Sequence, residues 1–128
     1  MPSVPRHGLA RFAAAFRYSI SGLRHVFRHE AAVREELVAL VVLIPVSIAL
    51  PVTAVEHLLL VCSMLLVLLV ELLNTAVEAT VDRISEERHP LSGLAKDLGS
   101  AAVLIALLMS ALCWLVIAGP VALRWARR

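Results

Sequence analysis

Charged and aromatic residues are scarce in this chain of 128 residues: charged side chains make up 17% and aromatic ones 5%. Apolar residues make up 60%, and the mean hydropathy is +0.87. A water-soluble domain of this length cannot bury so much apolar surface behind so few charges. The composition argues against an ordinary soluble protein and predicts a single domain, over 1–128, for which lipid is part of the solvent.

The two cysteines, Cys62 and Cys113, both lie in apolar runs, and the sequence has no CxxC pair and no Cys/His cluster. These absences argue against a structural zinc site and a disulfide framework. The motifs GxxxxGK[ST], GxGxxG, HExxH and GxSxG are also missing. A nucleotide could therefore be handled only outside the familiar soluble nucleotide folds. Phosphoryl transfer permits this, because it depends mainly on positioning and charge neutralisation.

Three segments are long and apolar enough to cross a bilayer, whose hydrocarbon core of roughly 30 Å requires about 20 helical residues. We predict membrane helices over 37–55, 58–81 and 98–123, and the apolar run of the second ends at Val77. Each must be helical, because lipid offers no hydrogen-bond partner for exposed backbone groups. Pro45 lies within the first segment, and Glu71 is the one charge within the apolar run of the second.

A basic segment precedes these spans and holds six of the 12 basic residues: Arg6, Arg11, Arg17, Arg24, Arg28 and Arg34. Apolar side chains recur in it at about 100° per residue and form one stripe: Leu9, Phe12, Phe16, Ile20, Leu23 and Phe27. The pattern predicts an amphipathic helix over 7–29 on the membrane surface. A helix packed on another protein is the alternative. A signal peptide would have its apolar core earlier than Leu37, so we expect the segment to be retained.

Basic residues also predict the orientation of the chain. The loop 51–57 has no Lys or Arg, whereas the loop 82–97 has three basic residues: Arg83, Arg88 and Lys96. With the arginine-rich leader, this places the N-terminus and the loop 82–97 in the cytoplasm. This orientation would place three arginines of the C-terminus outside, against the tendency of basic residues to stay in the cytoplasm: Arg124, Arg127 and Arg128. A multi-pass protein of a bacterial inner membrane is the expected location.

Polar residues recur along the second predicted span at i, i+3, i+7 and i+11: Glu71, Asn74, Glu78 and Asp82. This spacing places all four on one side of a helix. An ionisable side chain at the depth of Glu71 is costly in lipid and usually functional, for example as a general base. The alternative is a structural carboxyl group that is hydrogen-bonded between helices.

Glu78 lies about 10 Å from Glu71 along the helix axis, at about 1.5 Å per residue, which is too far for one metal ion to bridge both. A Mg²⁺ ion at Glu78 would need another oxygen ligand, and the spacing leaves Glu30, Glu35 and Glu36 open. Lys96 and Asp97 are predicted to open the third helix, with Ser100 one turn inside. They could contact a nucleotide or act as an interfacial anchor and helix cap, and Arg88 and His89 have the same ambiguity.

Three segments resemble sequences of a known protein family: EAAVREE (30–36), VELLNTAVEATVDRI (70–84) and AKDLGSAAVLIA (95–106). Together they resemble the bacterial integral-membrane diacylglycerol kinases. The resemblance implies an all-α homotrimer of three-span subunits, each with an N-terminal surface helix and with active sites shared between neighbouring chains. The implied activity is ATP-dependent phosphorylation of diacylglycerol to phosphatidic acid at the membrane interface, with Mg²⁺.

The resemblance also implies roles for individual residues. Glu71 would be the base that deprotonates the lipid alcohol, and Glu30 and Glu78 would hold the metal. A larger set would contact ATP: Arg11, Tyr18, Glu30, Glu78, Glu87, His89, Lys96 and Asp97. Others would support the site or contact the lipid: Asn74, Asp82, Ser100, Arg34 and Glu36.

Four positions depart from what is common among these kinases: Ile20, Glu35, Arg88 and Pro90. The sequence HPL at 89–91 resembles a branch that phosphorylates undecaprenol, so undecaprenol kinase is one alternative. A small oligomeric proton-conducting or transport subunit is an alternative of another class, in which Glu71 would carry a proton. That alternative would favour further ionisable groups across the bilayer, and the segments 58–70 and 98–123 have no charged residue.

Overall fold

The structure is a computed structural model that describes residues 8–84, 87 and 89–128. These residues form four helices: α1 (Leu9–His29), α2 (Ala31–Ala49), α3 (Ala54–Ile84) and α4 (Pro90–Ala126). The prediction of an all-α fold is confirmed for the described part of the chain. Residues 1–31 and 32–128 form two compact units, the first built on α1 and the second on α2, α3 and α4.

Helix α1 begins two residues after the predicted start at His7, which lies outside the described residues. Gly8, with φ +73°, precedes the helix in a backbone conformation that favours glycine. All six side chains of the apolar stripe are exposed, from 39% for Leu23 to 87% for Leu9. The helix has no Asp or Glu and ends at His29, and the N–H of the next residue, Glu30, donates to the carbonyl of Val26. It is thus an amphipathic helix with an uncovered apolar face.

Helix α2 ends at Ala49, so the predicted membrane helix over 37–55 is wrong beyond that residue. The cause is Pro51, because a proline disfavours helical backbone in the residue before it. From Leu37 to Ala49 the helix is only about 20 Å long at about 1.5 Å per residue, less than the roughly 30 Å hydrocarbon core. A crossing by α2 would therefore need the turns that carry three charged residues: Arg34, Glu35 and Glu36.

Helix α3 is longer than predicted at both ends: it starts at Ala54 rather than Leu58 and continues to Ile84. Its start is a capping box. The N–H and Oγ1 of Thr53 donate to Glu56 Oε2 at 2.7 and 2.8 Å, and the N–H of Glu56 donates to Thr53 Oγ1 at 3.3 Å. These bonds satisfy donors that a helix start leaves unpaired, and they lower the pKa of Glu56 from its ordinary value.

Helix α4 begins at Pro90, eight residues before the predicted 98. His89 caps it, because its Nδ1 accepts a hydrogen bond from the N–H of Leu91 at 3.2 Å, and the fixed φ of Pro90 suits the first helical position. The prediction that Lys96 and Asp97 open this helix is therefore wrong, since both lie well inside it. The loop predicted over 82–97 is accordingly shorter and separates Ile84 from Pro90.

Helices α3 and α4 make the most extensive helix–helix contact in the second unit. At one end a buried cluster of Leu50, Leu60 and Val121 packs against four partly buried residues: Val52, Trp114, Ile117 and Ala118. Nearby, the buried Ser47 of α2 bonds His57 of α3, with 3.0 Å between Oγ and Nδ1. This end, called the apolar end below, holds the loop between α2 and α3 against α4.

Helices α3 and α4 have the length and the apolar composition needed to cross a membrane. Their apolar side chains remain largely exposed, including Leu69 at 53%, Leu104 at 57% and Leu115 at 71%. The core helices of a soluble protein would bury such residues. Because these apolar surfaces are exposed, they are suited to lipid. Both helices also lie far from the N-terminus, where a signal sequence would be.

Candidate active site

The polar residues of α3 and one lysine of α4 meet at the opposite end of the helix pair, called the polar end below. Lys96 Nζ donates to Asp82 Oδ1 at 2.6 Å. This hydrogen bond, with the charges of Asp82 and Glu78, raises the pKa of Lys96. Lys96 therefore stays cationic at neutral pH, beside two carboxylates and with 40% of its side chain exposed. A cation in this position can meet phosphate.

Asn74 connects the buried and the exposed parts of the polar end. Its Nδ2 donates to Glu78 Oε1 at 3.3 Å, one turn along α3, and thereby fixes the orientation of that carboxylate. Its Oδ1 is buried and has no hydrogen-bond partner among the described residues. The same oxygen lies directly against Gly99 of α4, where an added Cβ would overlap it. Gly99 thus allows α4 to approach the Asn74 amide.

Glu71 lies deeper along the same side of α3 and is half-buried between apolar neighbours. The carboxylate of Glu36, from α2, is close enough for the two charges to interact. Glu36 stands one residue before the apolar run of α2. Burial and the Glu71 charge raise its pKa from 4.5 to about 7. The structure thus brings together two carboxyl groups that the sequence places 35 positions apart.

A cavity of about 280 Å³ opens between α2, α3 and α4, with Glu36 in its wall. The rest of the lining is apolar apart from Ser110 and Trp114. Ser110 Oγ lies 3.3 Å from Ser63 Oγ, and Trp114 Nε1 is buried without a hydrogen-bond partner among the described residues. An apolar cavity with a few polar groups is typical of a site for a small or lipid-like molecule.

The remaining predicted site residues are divided between the two units. On α1, Arg11 and Tyr18 are exposed, with Arg17 Cζ 5.6 Å from the centre of the Tyr18 ring, and Glu30 is half-buried after the helix end. In the second unit Arg34, Glu87, Asp97 and Ser100 are exposed, and His89 is the exposed cap of α4. Arg88 lies outside the described residues. The roles implied for all of these residues stay predictions.

The donor chemistry of the polar end suits a magnesium ion. Mg²⁺ commonly takes one or two carboxylates and completes its shell with water and substrate phosphates. Glu78 offers an oriented carboxylate at the polar end. Among the described residues, no three or more His, Cys, Asp or Glu side chains lie close enough together to hold a metal ion by themselves.

Sequence reasoning missed three residues at this site: Gly99, Ser110 and Trp114. Gly99 matters only because Asn74 of another helix lies against it. Ser110 and Trp114 lie in a long apolar run, and neither has a spacing that indicates a cavity. A tryptophan that interrupts a run of aliphatic residues was the only available signal.

Two lipid-suited helices with a carboxylate-rich polar end are the features of a helical membrane protein. A family model described as prokaryotic diacylglycerol kinase matches residues 17–118. The chain belongs to this family. The predicted resemblance is confirmed.

Named relatives agree with the family match. A diacylglycerol kinase of Pseudomonas aeruginosa is 51% identical over 110 residues, which cover 86% of this chain and 89% of the relative. That of Escherichia coli strain K12 is 46% identical over 110 residues, covering 86% and 90%. That of Haemophilus influenzae is 47% identical over 107 residues, covering 84% and 91%. The similarity therefore extends over nearly the whole length of these kinases.

Proposed function

We propose that this protein transfers the γ-phosphate of ATP to the hydroxyl of diacylglycerol, giving phosphatidic acid and ADP. The observation that carries the proposal is the position of the paired carboxyl groups Glu36 and Glu71. Glu36 lies in the wall of an apolar cavity and interacts with the charge of Glu71. Further along the same side of α3, Asp82 bonds the cationic Lys96. A lipid alcohol and a polyphosphate have opposite solvent preferences, and a phosphotransferase must bring them together. Family membership supports the same reaction.

In the proposed reaction Glu71 accepts the proton of the lipid hydroxyl as the hydroxyl oxygen attacks the γ-phosphorus. The O–H bond breaks, the new O–P bond forms, and the bond from phosphorus to the ADP oxygen breaks. A positioned general base contributes about 10²- to 10⁴-fold to such a step. Lys96 neutralises phosphate charge, and Asn74 holds the carboxylate of Glu78 in place.

Magnesium would be held by Glu78 and Glu30 together with the phosphates of ATP. When bound, it neutralises the charge that develops on the transferring group. The other nucleotide contacts in this proposal are those implied by the family: Arg11, Tyr18, Glu87, His89, Lys96 and Asp97. Asp82 keeps Lys96 in place until the nucleotide arrives, and Asp82, Arg34 and Ser100 support the site.

The proposed assembly is a homotrimer of subunits that cross a bacterial inner membrane three times, with the N-terminus in the cytoplasm. Helix α1 would lie on the membrane surface, because its apolar stripe is exposed and the helix has arginines but no carboxylates. Sharing of active sites between chains would bring residues of α1 and Glu30 to the polar end. The whole chain, 1–128, would act as one domain.

The test is ATP-dependent phosphate transfer by purified protein in mixed micelles that contain diacylglycerol and undecaprenol side by side. Labelling of diacylglycerol with Mg²⁺, lost in EDTA, is the expected result. Labelling of undecaprenol instead would keep the chemistry and change the substrate. No labelling of either lipid by folded, oligomeric protein would contradict the proposal and leave proton conduction through Glu71 as the alternative.

A further inference from the structure

Glu36 has features that a merely supporting residue would not need. Its Oε2 atom is shielded from solvent and has no hydrogen-bond partner among the described residues. The side chain also forms part of the wall of the 280 Å³ cavity, next to apolar residues such as Leu40 and Leu43. A shielded oxygen without a partner is tolerated much better on a neutral carboxylic acid than on a carboxylate.

The titratable group of α3 that interacts with Glu36 does not compensate a negative charge on it. From α3 the facing titratable group is Glu71, which carries the same sign of charge. From α4 the cavity wall contributes Ser110 and Trp114, which do not titrate near neutral pH. On α2 itself Arg34 and Glu35 are exposed. Burial first and the Glu71 charge second raise the pKa of Glu36 to about 7.

We infer that Glu36 is a positioning acid for the base Glu71: it keeps its proton while Glu71 is ionised, so that the pair carries a single negative charge in the active state. This inference rests on the proposed function, because it assigns Glu71 as the base. Two like charges at one site are not ionised independently, and the pair titrates in two coupled steps.

A protonated Glu36 would serve the reaction in two ways. Its neutral form adds no second negative charge beside a polyphosphate that is already strongly anionic. Its O–H group is also a hydrogen-bond donor, which a carboxylate lacks, and can hold an oxygen at the boundary between the cavity and Glu71. The proton of the lipid hydroxyl still goes to Glu71, and Glu36 has the same protonation state before and after the transfer.

The test compares the pH dependence of kcat in the wild type, in Glu36→Gln and in Ser110→Ala, at saturating ATP and diacylglycerol. In the wild type kcat should fall above about pH 7, as Glu36 loses its proton. Gln has the same shape, cannot ionise and keeps a donor, so Glu36→Gln should extend the plateau by at least about one pH unit. Ser110→Ala changes the same cavity wall without removing a titratable group, so its alkaline limb should coincide with that of the wild type.

Two kinetic outcomes would overturn the inference. One is an alkaline limb of Glu36→Gln that coincides with the wild-type limb. The other is a loss of more than about tenfold in kcat for Glu36→Gln at about pH 6, because the carboxylate itself would then be required.

A spectroscopic readout separates failure of this inference from failure of the proposed function, because it needs no turnover. Infrared difference spectra between about pH 6 and pH 8 should show the carbonyl stretch of a protonated carboxyl group disappear in the wild type. The band should be absent in Glu36→Gln and retained in Ser110→Ala. A band that persists in Glu36→Gln would exclude Glu36 as the titrating acid, whatever the protein phosphorylates.

Discussion

The two ends of the second unit use the same helices for different purposes. At the apolar end Leu60 and Val121 are almost completely buried, and the polar Ser47 is bonded to His57. At the polar end and beside it, Glu36 and Asn74 each have a shielded oxygen without a partner among the described residues. The apolar end is closely packed, which stabilises the fold, and its one unpaired polar atom among the described residues, Trp114 Nε1, lies where this end borders the cavity. The other leaves polar groups unsatisfied, which costs stability and is typical of a functional site.

The largest expected effect is at the polar end. Glu71→Gln should lower kcat by about 10²- to 10⁴-fold, because the amide cannot accept the hydroxyl proton, while thermal stability stays close to that of the wild type. The measurement is turnover in mixed micelles together with thermal unfolding. Glu56→Gln, a carboxylate change at the other end of α3, should keep the turnover of the folded protein. Near-normal turnover of Glu71→Gln would remove it as the base.

At the apolar end we expect a substitution to lower stability and to leave turnover unchanged. Leu60→Ala leaves a cavity in the buried cluster and should lower the free energy of unfolding by about 2–5 kcal/mol. The kcat of the protein that remains folded should not change. Leu59→Ala is the matched control. The side chain of Leu59, next to Leu60 in the chain, is 48% exposed, so its removal leaves no cavity. Equal destabilisation by the two variants would contradict the assignment of this end as the packed core.

Gly99→Ala tests whether helix packing positions the polar end. The added Cβ must displace the Asn74 amide, and with it the bond to Glu78. A displacement of about 1 Å should cost on the order of 10- to 100-fold in kcat. Gly93→Ala, on the same helix with open space around the glycine, should retain wild-type turnover. If both variants behave alike in the turnover assay, the Asn74 contact has no positioning role.

The smallest expected effect is on the helix start next to the apolar end. Thr53→Ala removes the two hydroxyl bonds of the capping box of α3 and should lower the free energy of unfolding by about 1 kcal/mol, with unchanged kcat. Because the pKa of Glu56 is lowered from 4.5, its part of this stabilisation is present above that value and is lost as pH falls through the lowered pKa. Thermal unfolding between about pH 3 and pH 6 should show this loss in the wild type, a smaller loss in Thr53→Ala, which keeps the backbone N–H bond to Glu56, and no such loss in Glu56→Gln.

Much of the architecture could be predicted because it depends on local patterns. The stripe from Leu9 to Phe27 predicted α1 to within two residues at its start, and long apolar runs predicted α3 and α4. Helix ends were predicted less well. The Thr53–Glu56 box and the His89–Pro90 cap lengthened α3 and α4, because hydrogen bonds of a few residues decide a helix start while hydropathy decides only its middle.

Local pattern in the chain was enough to indicate a membrane protein, to place Glu71, Asn74, Glu78 and Asp82 on one side of a helix, and to identify the family. Three contacts became visible only in the packed helices: Glu36 interacts with Glu71, Asn74 lies against Gly99, and Trp114 borders a cavity. The difference lies in how far apart in the chain the interacting residues are. Periodicity fixes the relation of residues within one helix, whereas contacts between helices depend on how side chains far apart in the chain fill a common volume.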